Sequence, residues 1–344
     1  MSRWGVVLAG GVGSRFWPLS TPRRPKQLLP LVSESPLLVD SVRRLEPLVG
    51  RDRILIVTNG ALVDPIAELL PDIARSQLLA EPRSAGTAPA LVWAAREIAA
   101  RDGDTATMLS IHADWAVADG EGFRRTLARA AEVAEARHVL VTVGVVPSRP
   151  DPGFGYIQPG EAVDGARKVA RFVEKPDRAR AQQMVGEGYL WNSGIFVWRV
   201  GDFLREVRAH AREVTPALPA LERGDVAAFF AGVTAISVDH AVLERSGSVL
   251  VLPGDFGWDD VGTWAALQRV RARDDAGNAL AGAVHAVAAR DNVVHAEGGS
   301  VVLYGVNELV VVSRPGLTLV TTLDRAADLK TMLDALPSAV RDRE

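Results

Sequence analysis

The sequence predicts an α/β fold: a Rossmann-like core with a mixed, mostly parallel sheet, followed by a short region of β structure at the C-terminus. Three observations lead to this prediction. An apolar run at residues 6–8 leads directly into a glycine-rich loop, which is typical of a buried strand followed by a turn. Strand-like and helix-like segments then alternate through the first half of the chain. From Asn278 onward, five short β-prone runs recur about eight residues apart, at 283–288, 292–296, 300–304, 309–313 and 317–321.

The alternation can be followed along the chain. Ser35 caps a helix that extends to residue 49. Further strands are expected at 54–57, 77–79, 105–111, 138–146, 169–177 and 190–198, with helices at 61–70 and 87–100. Residues 200–247 are expected to be mainly helical. Ligands bind beyond the carboxyl ends of such strands, so we expect the glycine loop, Glu81 and the 112–114 turn to face one crevice.

The composition excludes several classes of protein. With 344 residues and 48% hydrophobic side chains, the chain is long enough for one large core and a smaller one. A net charge of −3 argues against a nucleic-acid surface. The sequence has no cysteine and no H-E-x-x-H motif, so any metal would be a hard ion on oxygen ligands. There is no leader pattern and no run of about 18 apolar residues, so we expect a cytoplasmic protein that does not enter a membrane.

The glycine loop carries the strongest chemical signal. Gly10, Gly11 and Gly13 leave backbone N–H groups open to phosphate oxygens. Arg15 and Lys26 add a planar fork and a movable point charge, both suited to a polyphosphate. A dinucleotide-binding fingerprint would need a glycine where the chain has phenylalanine, and the Gly-Lys-Ser/Thr of a Walker loop does not occur. Both familiar phosphate loops are therefore excluded.

The spacing of these loop residues resembles a known signature. Residues 9–20 and 25–27 meet every position of A-G-G-x-G-x-R-x-W-P-L-S and P-K-Q, the signature of the sugar-nucleotide pyrophosphorylases and in particular of the mannose-1-phosphate guanylyltransferases. Three later strings also match that family: G-Y-I at 155–157, F-V-E-K-P at 172–176 and W-N-S-G-I-F at 191–196. The resemblance covers nearly the whole chain.

The resemblance implies an enzyme with a defined reaction. GTP and α-D-mannose 1-phosphate would give GDP-mannose and diphosphate, by Mg²⁺-dependent in-line nucleotidyl transfer. The sugar phosphate is already ionised, so the chemistry needs positioning and charge neutralisation rather than a general base. We place a nucleotidyltransferase domain at 1–275 and a short C-terminal domain with a terminal helix at 276–344. In the family this region is a short left-handed β-helix used in dimer contacts, so a homodimer is expected.

The same matches assign roles to individual residues. The catalytic candidates are Arg15, Lys26, Asp114 and Asp260, of which the two aspartates would hold Mg²⁺. The nucleotide-binding candidates are Leu8, Gly10, Gly11, Gly13, Thr87 and Ala88. The sugar-phosphate-binding candidates are Gly155, Glu174, Lys175 and Asn192. Taken singly, most have an ordinary structural explanation such as a turn, a helix cap or an exposed strand end. Their order along the chain favours a site.

The chain departs from the family pattern at two places. Ala85 and Gly86 replace an Arg-Asn pair in a segment that touches the nucleotide base, and His112 and Trp115 replace the outer residues of a P-A-D-H motif. Backbone groups can also read guanine. We therefore expect the glycine loop and the helix start at 87–88 to select guanine, but by a smaller margin.

Two alternatives remain open. One is the same reaction with another hexose 1-phosphate or another base, which a substrate panel would distinguish. The other is a non-catalytic regulatory subunit that senses GDP-mannose. The presence of both aspartates, both loop cations and Lys175 argues against a sensor, and turnover by the purified chain would decide the matter.

Overall fold

The computed structural model of the protein describes residues 1–11 and 14–341. Gly13, a predicted nucleotide-binding residue, lies outside the described residues. The chain divides into two compact units. We call residues 1–10, 41–113 and 119–258 the sheet unit, and residues 11–40, 114–118 and 259–344 the coil unit.

The elements follow the predicted alternation closely. The strands are β1 (Arg3–Leu8), β2 (Ile54–Asn59), β3 (Leu78–Glu81), β4 (Thr107–His112), β5 (Ala116–Val117), β6 (Leu140–Val145), β7 (Tyr156–Val163), β8 (Ala166–Val173), β9 (Leu190–Arg199), β10 (Val249–Gly254), β11 (Trp258–Asp259), β12 (Ala279–Val287), β13 (Val293–Tyr304), β14 (Leu309–Arg314) and β15 (Leu317–Thr322). The α-helices are α1 (Leu37–Val49), α2 (Val63–Leu69), α3 (Thr87–Asp102), α4 (Gly120–Arg137), α5 (Arg178–Gly186), α6 (Val200–His210), α7 (Leu218–Glu222), α8 (Val226–Gly232), α9 (Leu267–Val270), α10 (Leu329–Ala335) and α11 (Ser338–Arg341). Among residues 1–11 and 14–341, no helix has both the length and the apolar character needed to cross a bilayer.

The sheet unit is built on one sheet of nine strands, in the order β3-β2-β1-β4-β9-β6-β10-β8-β7. The pairs β1–β2, β1–β4, β2–β3 and β6–β10 are parallel. Strand β9 runs antiparallel to β4 and β6, and β8 runs antiparallel to β10 and β7. Because β8 and β9 run against the other strands, the sheet is mixed and mostly parallel in strand direction. This confirms the predicted core.

Helix α3 packs into the core of the sheet unit. Leu91, Ala95 and Ile98 recur at helical spacing and are fully buried. Trp93 meets Phe230 of α8 edge to face, with ring centroids 5.6 Å apart. Burial of each large apolar side chain stabilises the fold by about 1.5–3 kcal/mol, so the packing of α3 against α8 stabilises the sheet unit.

The start of α3 is tied to a distant loop. Ile236 donates its backbone N–H to the Ala85 carbonyl at 3.0 Å, and Ala88 donates to the Ile236 carbonyl at 3.2 Å. The backbone N–H of Val238 donates to Thr87 Oγ1 at 2.9 Å. These three hydrogen bonds fasten the 85–88 segment to the 236–238 segment.

Gly86 is the point of closest approach between these segments. Its backbone has φ +83° and ψ 174°, a region that essentially only glycine adopts. A Cβ at this position would lie 2.3 Å from the Ile236 carbonyl oxygen. The departure from the Arg-Asn pair therefore has a steric reason, because this backbone path has no room for an asparagine at position 86.

The aromatic residues of the signature loop belong to the core of the coil unit. The rings of Phe16 and Trp264 meet at a centroid distance of 5.0 Å. The Trp264 indole N–H donates to the backbone carbonyl of Trp17 at 2.9 Å. Leu19 and Leu29 are buried in the same cluster. The signature residues between the glycines and Lys26 therefore have a packing role of their own.

The C-terminal β structure has four strands rather than the five expected runs. The pairs β12–β13 and β13–β14 are parallel, and β14–β15 is antiparallel. The runs expected at 292–296 and 300–304 form the single strand β13, because Gly298 and Gly299, with φ +70° and +127°, bend it without interrupting it. The arrangement is consistent with a short β-helix-like region. The domain boundary at 275/276 remains a prediction.

We expect Gly86→Ala to destabilise the protein more than Gly103→Ala. The two glycines flank α3 with nearly the same backbone angles, and Gly103 has φ +82° and ψ 169°. Beyond its chain neighbours, no atom lies within 4 Å of a Cβ at Gly103. Alanine strains both backbones alike, whereas only position 86 adds the clash with Ile236. Urea denaturation should give a free energy of unfolding about 2 kcal/mol lower for Gly86→Ala than for Gly103→Ala. Equal losses would contradict the close contact.

Candidate active site

The carboxyl ends of β1 and β3 bring a carboxyl group to the start of the glycine loop. Leu8 is buried at the end of β1, and the Ala9 amide donates to the Val57 carbonyl at 2.8 Å. Glu81 is the last residue of β3. Its Oε2 atom lies 3.2 Å from the position that a Cβ of Gly10 would occupy. Glycine at position 10 therefore lets the Glu81 carboxyl approach the loop backbone.

Glu81 is a candidate residue that the motif matches leave without a role. Burial raises the pKa of its carboxyl to about 7, because the ionised form loses solvation. Within residues 1–11 and 14–341, no hydrogen bond or ion pair reaches this carboxyl. A perturbed acid in such a position is typical of a functional site. The sequence feature that could have revealed Glu81 is an acidic residue at the carboxyl end of a parallel strand, close to the glycine loop.

The helix start at 87–88 is largely engaged within the scaffold. The Ala88 amide donates to Ile236, and Thr87 Oγ1 accepts from Val238. The Thr87 hydroxyl oxygen therefore already has a donor, and the Ala88 N–H already has an acceptor. The expected role of residues 87–88 in recognising the base stays a prediction.

The four predicted sugar-phosphate residues meet in one cluster of the sheet unit. The backbone N–H of Asn192 donates a hydrogen bond to the Gly155 carbonyl at 2.8 Å. A Cβ on Gly155 would lie 2.9 Å from Glu174 Oε2 and 3.4 Å from Asn192 Cβ. Lys175 Nζ lies 2.8 Å from Glu174 Oε1, and both side chains are exposed. Glycine at position 155 is therefore what allows the acid and the amide to lie side by side.

Lys26 joins the two predicted metal-binding aspartates within the coil unit. Its Nζ lies 3.0 Å from Asp114 Oδ2 and donates to the backbone carbonyl of Asp260 at 2.6 Å. The Lys26 side chain is only 8% exposed, and its ammonium lies 5.9 Å from the centre of the Phe16 ring. A buried ammonium requires such partners. Residues far apart in sequence are thereby brought to one place.

The adjacent aspartates 259 and 260 have different surroundings. Asp259 is buried, pairs with Arg269 at 2.9 Å and accepts the Val261 N–H at 2.9 Å. Asp260 is partly exposed, and its Oδ1 accepts the Gly262 N–H at 3.1 Å. Asp259 therefore has a structural role, and the choice of Asp260 as the site residue stays a prediction.

The remaining loop residues have contacts of their own. Gln27 Nε2 donates to the Gly11 carbonyl at 2.8 Å, and the Trp17 indole N–H donates to the Arg341 carbonyl at 3.0 Å. Arg15 is exposed and lines a cavity of about 340 Å³. Other charged side chains that line this cavity come from the C-terminal segment: Asp328, Lys330, Asp334 and Arg341.

The donor set limits the kind of metal that fits. In the described part of the chain, no three His, Cys, Asp or Glu side chains are grouped so that they could hold a metal ion. Mg²⁺ is commonly held by one or two carboxylates, while water and substrate phosphates complete its coordination. The aspartates that Lys26 joins therefore fit an ion that arrives with a nucleotide better than a structural metal.

Comparison with known proteins identifies the family. The family model of the nucleotidyl transferases matches residues 4–277, which is most of the chain. The chain belongs to the nucleotidyl transferase family. This confirms the family resemblance drawn from the motifs, and it makes the protein an enzyme of the nucleotidyltransferase class.

Individual nucleotidyl transferase relatives match nearly the whole chain. The alginate biosynthesis protein AlgA of Pseudomonas aeruginosa is 35% identical over 351 residues, which cover 98% of this chain and 72% of AlgA. The mannose-1-phosphate guanylyltransferase ManC of Salmonella typhimurium is 36% identical over 350 residues, which cover 96% of this chain and 72% of ManC. A solved structure from Thermus thermophilus, described as a mannose-1-phosphate geranyltransferase, is 34% identical with a TM-score of 0.90 and covers 97% of this chain and 99% of its own.

We expect Glu81→Gln to stabilise the protein at pH 8 but not at pH 4.5. The folded pKa of about 7 lies above the ordinary value of 4.5. The native state therefore keeps a proton that the unfolded chain releases, and stability from this group falls as the pH rises from 4.5 through 7. Thermal unfolding should show a higher Tm for Glu81→Gln at pH 8, on the order of 2 °C, and the difference should vanish near pH 4.5. Glu68→Gln, at an exposed position of α2, is the control. A Tm difference between Glu81→Gln and the wild type that does not depend on pH would contradict the raised pKa of Glu81.

Proposed function

We propose that the chain transfers a guanylyl group from GTP to α-D-mannose 1-phosphate, giving GDP-mannose and diphosphate. The observation that carries the proposal is the contact of Lys26 with both Asp114 and Asp260, in a chain of the nucleotidyl transferase family. The name of the ManC relative supplies the substrates. The cluster around Gly155 supplies groups suited to a sugar phosphate.

In the proposed reaction, a phosphate oxygen of the sugar attacks the α-phosphorus of GTP. The bond from that phosphorus to the oxygen bridging to the β-phosphate breaks, and diphosphate leaves. The protein then contributes positioning and charge neutralisation, because the nucleophile needs no deprotonation. Lys26 and Arg15 neutralise charge that builds up on the triphosphate and on the leaving diphosphate.

Mg²⁺ is the proposed cofactor, and Asp114 and Asp260 are the residues that hold it. Two aspartate carboxylates supply the hard oxygen ligands that this ion prefers. When bound, the ion neutralises phosphate charge during nucleotidyl transfer. Lys26 keeps the two acidic residues together through its contacts with the Asp114 carboxylate and the Asp260 carbonyl.

The sugar phosphate is proposed to bind at the Gly155 cluster. Glu174 accepts hydrogen bonds from sugar hydroxyls, and the Asn192 side chain can both donate and accept. Lys175 supplies positive charge for the phosphate. Lys175 Nζ lies 2.8 Å from Glu174 Oε1. The ammonium proposed to bind the phosphate therefore lies beside the carboxylate proposed to bind the sugar hydroxyls.

Glu81 is proposed to read the guanine base. Guanine presents N1–H and the N2 amino group as neighbouring donors, whereas adenine presents an acceptor at N1. An ionised carboxylate accepts from both guanine donors, and such charge-assisted hydrogen bonds are stronger than neutral ones. Partial burial of Glu81 strengthens them further, because the local dielectric is lower.

A homodimer, a cytoplasmic location and a separate C-terminal domain at 276–344 complete the proposal. The four-stranded β12–β15 sheet exposes Val302 and Tyr304, which are 69% and 78% accessible. Exposed apolar side chains on a sheet face favour an interface with another chain. Sedimentation of the purified protein measures the assembly.

Release of diphosphate across a substrate panel tests the proposed function. The panel combines GTP, ATP, UTP and dTTP with the 1-phosphates of mannose, glucose and galactose. We expect the highest kcat/KM with GTP and mannose 1-phosphate. A preference for another pair would keep the pyrophosphorylase class and reject the substrates. Absence of turnover with any pair, while GDP-mannose still binds, would favour a regulatory sensor.

Asp260→Asn should abolish turnover without unfolding the protein. Loss of one carboxylate should lower kcat about a hundredfold or more at saturating Mg²⁺, and Tm should change little because Asp260 is partly exposed. Asp259→Asn is the matched control, since it removes the buried partner of Arg269 and should lower Tm while turnover persists below the transition. Near-normal turnover in Asp260→Asn would reject the assignment.

Glu81→Gln should reduce the preference for GTP over ATP. A glutamine keeps the shape but offers one acceptor and one donor, so it loses a charge-assisted hydrogen bond to guanine. The ratio of kcat/KM values for GTP and ATP should fall about tenfold, equal to about 1.4 kcal/mol. An unchanged ratio, with the pH effect on stability still present, would mean that Glu81 does not contact the base.

A further inference from the structure

Asp239 is an acidic residue beside the sugar-phosphate cluster that no motif match marks. It opens the π-helical turn Asp239–Leu243 and is partly buried. Its Oδ1 atom accepts a hydrogen bond from Asn192 Nδ2 at 2.8 Å. π-helical turns are rare and frequently occur at functional sites. The acid is therefore in direct contact with a side chain proposed to bind the sugar.

The surroundings of Asp239 tie it to the rest of the cluster. Burial raises the pKa of its carboxyl, and the hydrogen bond from Asn192 opposes that effect. His112 and Glu174 are near enough to shift the same pKa, His112 downward and Glu174 upward. Two ionised carboxylates that lie close together repel each other, so a second acid near Glu174 costs free energy. The hydrogen bond from Asn192 stabilises the Asp239 carboxylate and offsets part of this cost.

The position of Asp239 is fixed by the scaffold. The preceding residue, Val238, donates its backbone N–H to Thr87 Oγ1, and Ile236 exchanges two backbone hydrogen bonds with the 85–88 segment. The acid therefore sits on a loop anchored to the first turn of α3. Such an anchored acceptor can orient a neighbouring side chain with little freedom.

Asn192 has a side chain whose orientation needs to be specified. Its amide oxygen and nitrogen have nearly the same shape, so the amide can turn over without a steric penalty. The Gly194 N–H approaches Asn192 Oδ1 at 3.4 Å, which is a weak constraint. A carboxylate only accepts hydrogen bonds, so Asp239 favours the orientation in which Nδ2 faces it.

We propose that Asp239 is a positioning residue for the sugar phosphate: it fixes the Asn192 amide so that the second N–H of Nδ2 is presented to a sugar hydroxyl. This inference rests on the proposed function, since it requires a hexose 1-phosphate in the Gly155 cluster. Asp239 acts through Asn192 and not on the reacting atoms. Its loss should therefore raise KM for the sugar phosphate and leave KM for the nucleotide unchanged.

The test compares Asp239→Asn and Asp239→Ala with Asp202→Asn. Asp202 is also buried in the sheet unit, but its ion-pair partners are Arg199, Arg205 and His138. Steady-state kinetics with the preferred hexose 1-phosphate should show KM raised about tenfold in Asp239→Ala and less in Asp239→Asn, whose amide can still accept. KM for GTP should stay within about twofold. Asp202→Asn should change neither KM.

A double-mutant cycle separates positioning from direct contact or a general structural effect. If Asp239 acts through Asn192, then Asn192→Ala and the double variant Asn192→Ala/Asp239→Ala should have the same KM for the sugar phosphate. Additive effects, or equal increases in both KM values together with a lower Tm, would overturn the proposal. Asp239→Asn is nearly isosteric and keeps the test valid if the alanine variant fails to fold.

The panel on the wild-type chain distinguishes the two possible failures. If the wild type uses mannose 1-phosphate with GTP and Asp239→Ala has an unchanged KM, the positioning role is wrong and the proposed function stands. If the wild type prefers another hexose 1-phosphate, the cycle is measured with that substrate, and equal KM values still support the role. If titration shows that no hexose 1-phosphate binds, both proposals are overturned.

Discussion

The buried ammonium of Lys26 is the interaction on which the coil unit depends. Removing such a charge from water costs several kcal/mol unless acceptors replace the solvent, and here the Asp114 carboxylate and the Asp260 carbonyl do so. The three residues come from distant stretches of the chain, so one charge that must be neutralised fixes three loops together. Packing of Phe16 on Trp264 supports the same arrangement from the apolar side. The Lys26 ammonium therefore contributes both to the stability of the coil unit and to the proposed chemistry.

In the sheet unit, four consecutive residues, 236–239, likewise connect distant parts of the chain. Ile236 and Val238 are fastened by hydrogen bonds to the start of α3, which is close in sequence to Glu81. The fourth, Asp239, holds the Asn192 amide. The proposed base reader and the proposed sugar site are therefore linked through one short stretch of backbone. A rigid link of this kind keeps both recognition elements in register without any large side-chain network.

The sequence predicts most of the fold and the family, because both depend on local signals. Alternating strand and helix patterns predict the core, and strings around Lys26, Glu174 and Asn192 predict the family. The roles proposed for Glu81 and Asp239 could not be predicted from these local signals. The raised pKa of Glu81 arises from burial of its carboxyl next to Gly10. Asp239 lies in a stretch that is predicted only to be mainly helical, and its partner Asn192 is 47 residues away in sequence. Each role depends on contacts that only folding creates.

The contact between Gly86 and Ile236 restricts how nucleotide and sugar preference can evolve. A side chain at position 86 is tolerated only after the Ile236 carbonyl has moved, so a permissive change in the 236–238 segment must come first. We expect such a change also to displace Asp239, three residues further on, which is the residue proposed to orient Asn192. On the proposed roles, a lineage that alters base recognition by this route is expected to adjust sugar recognition at the same time. If the proposed roles of this region are correct, the two specificities are expected to change together rather than independently.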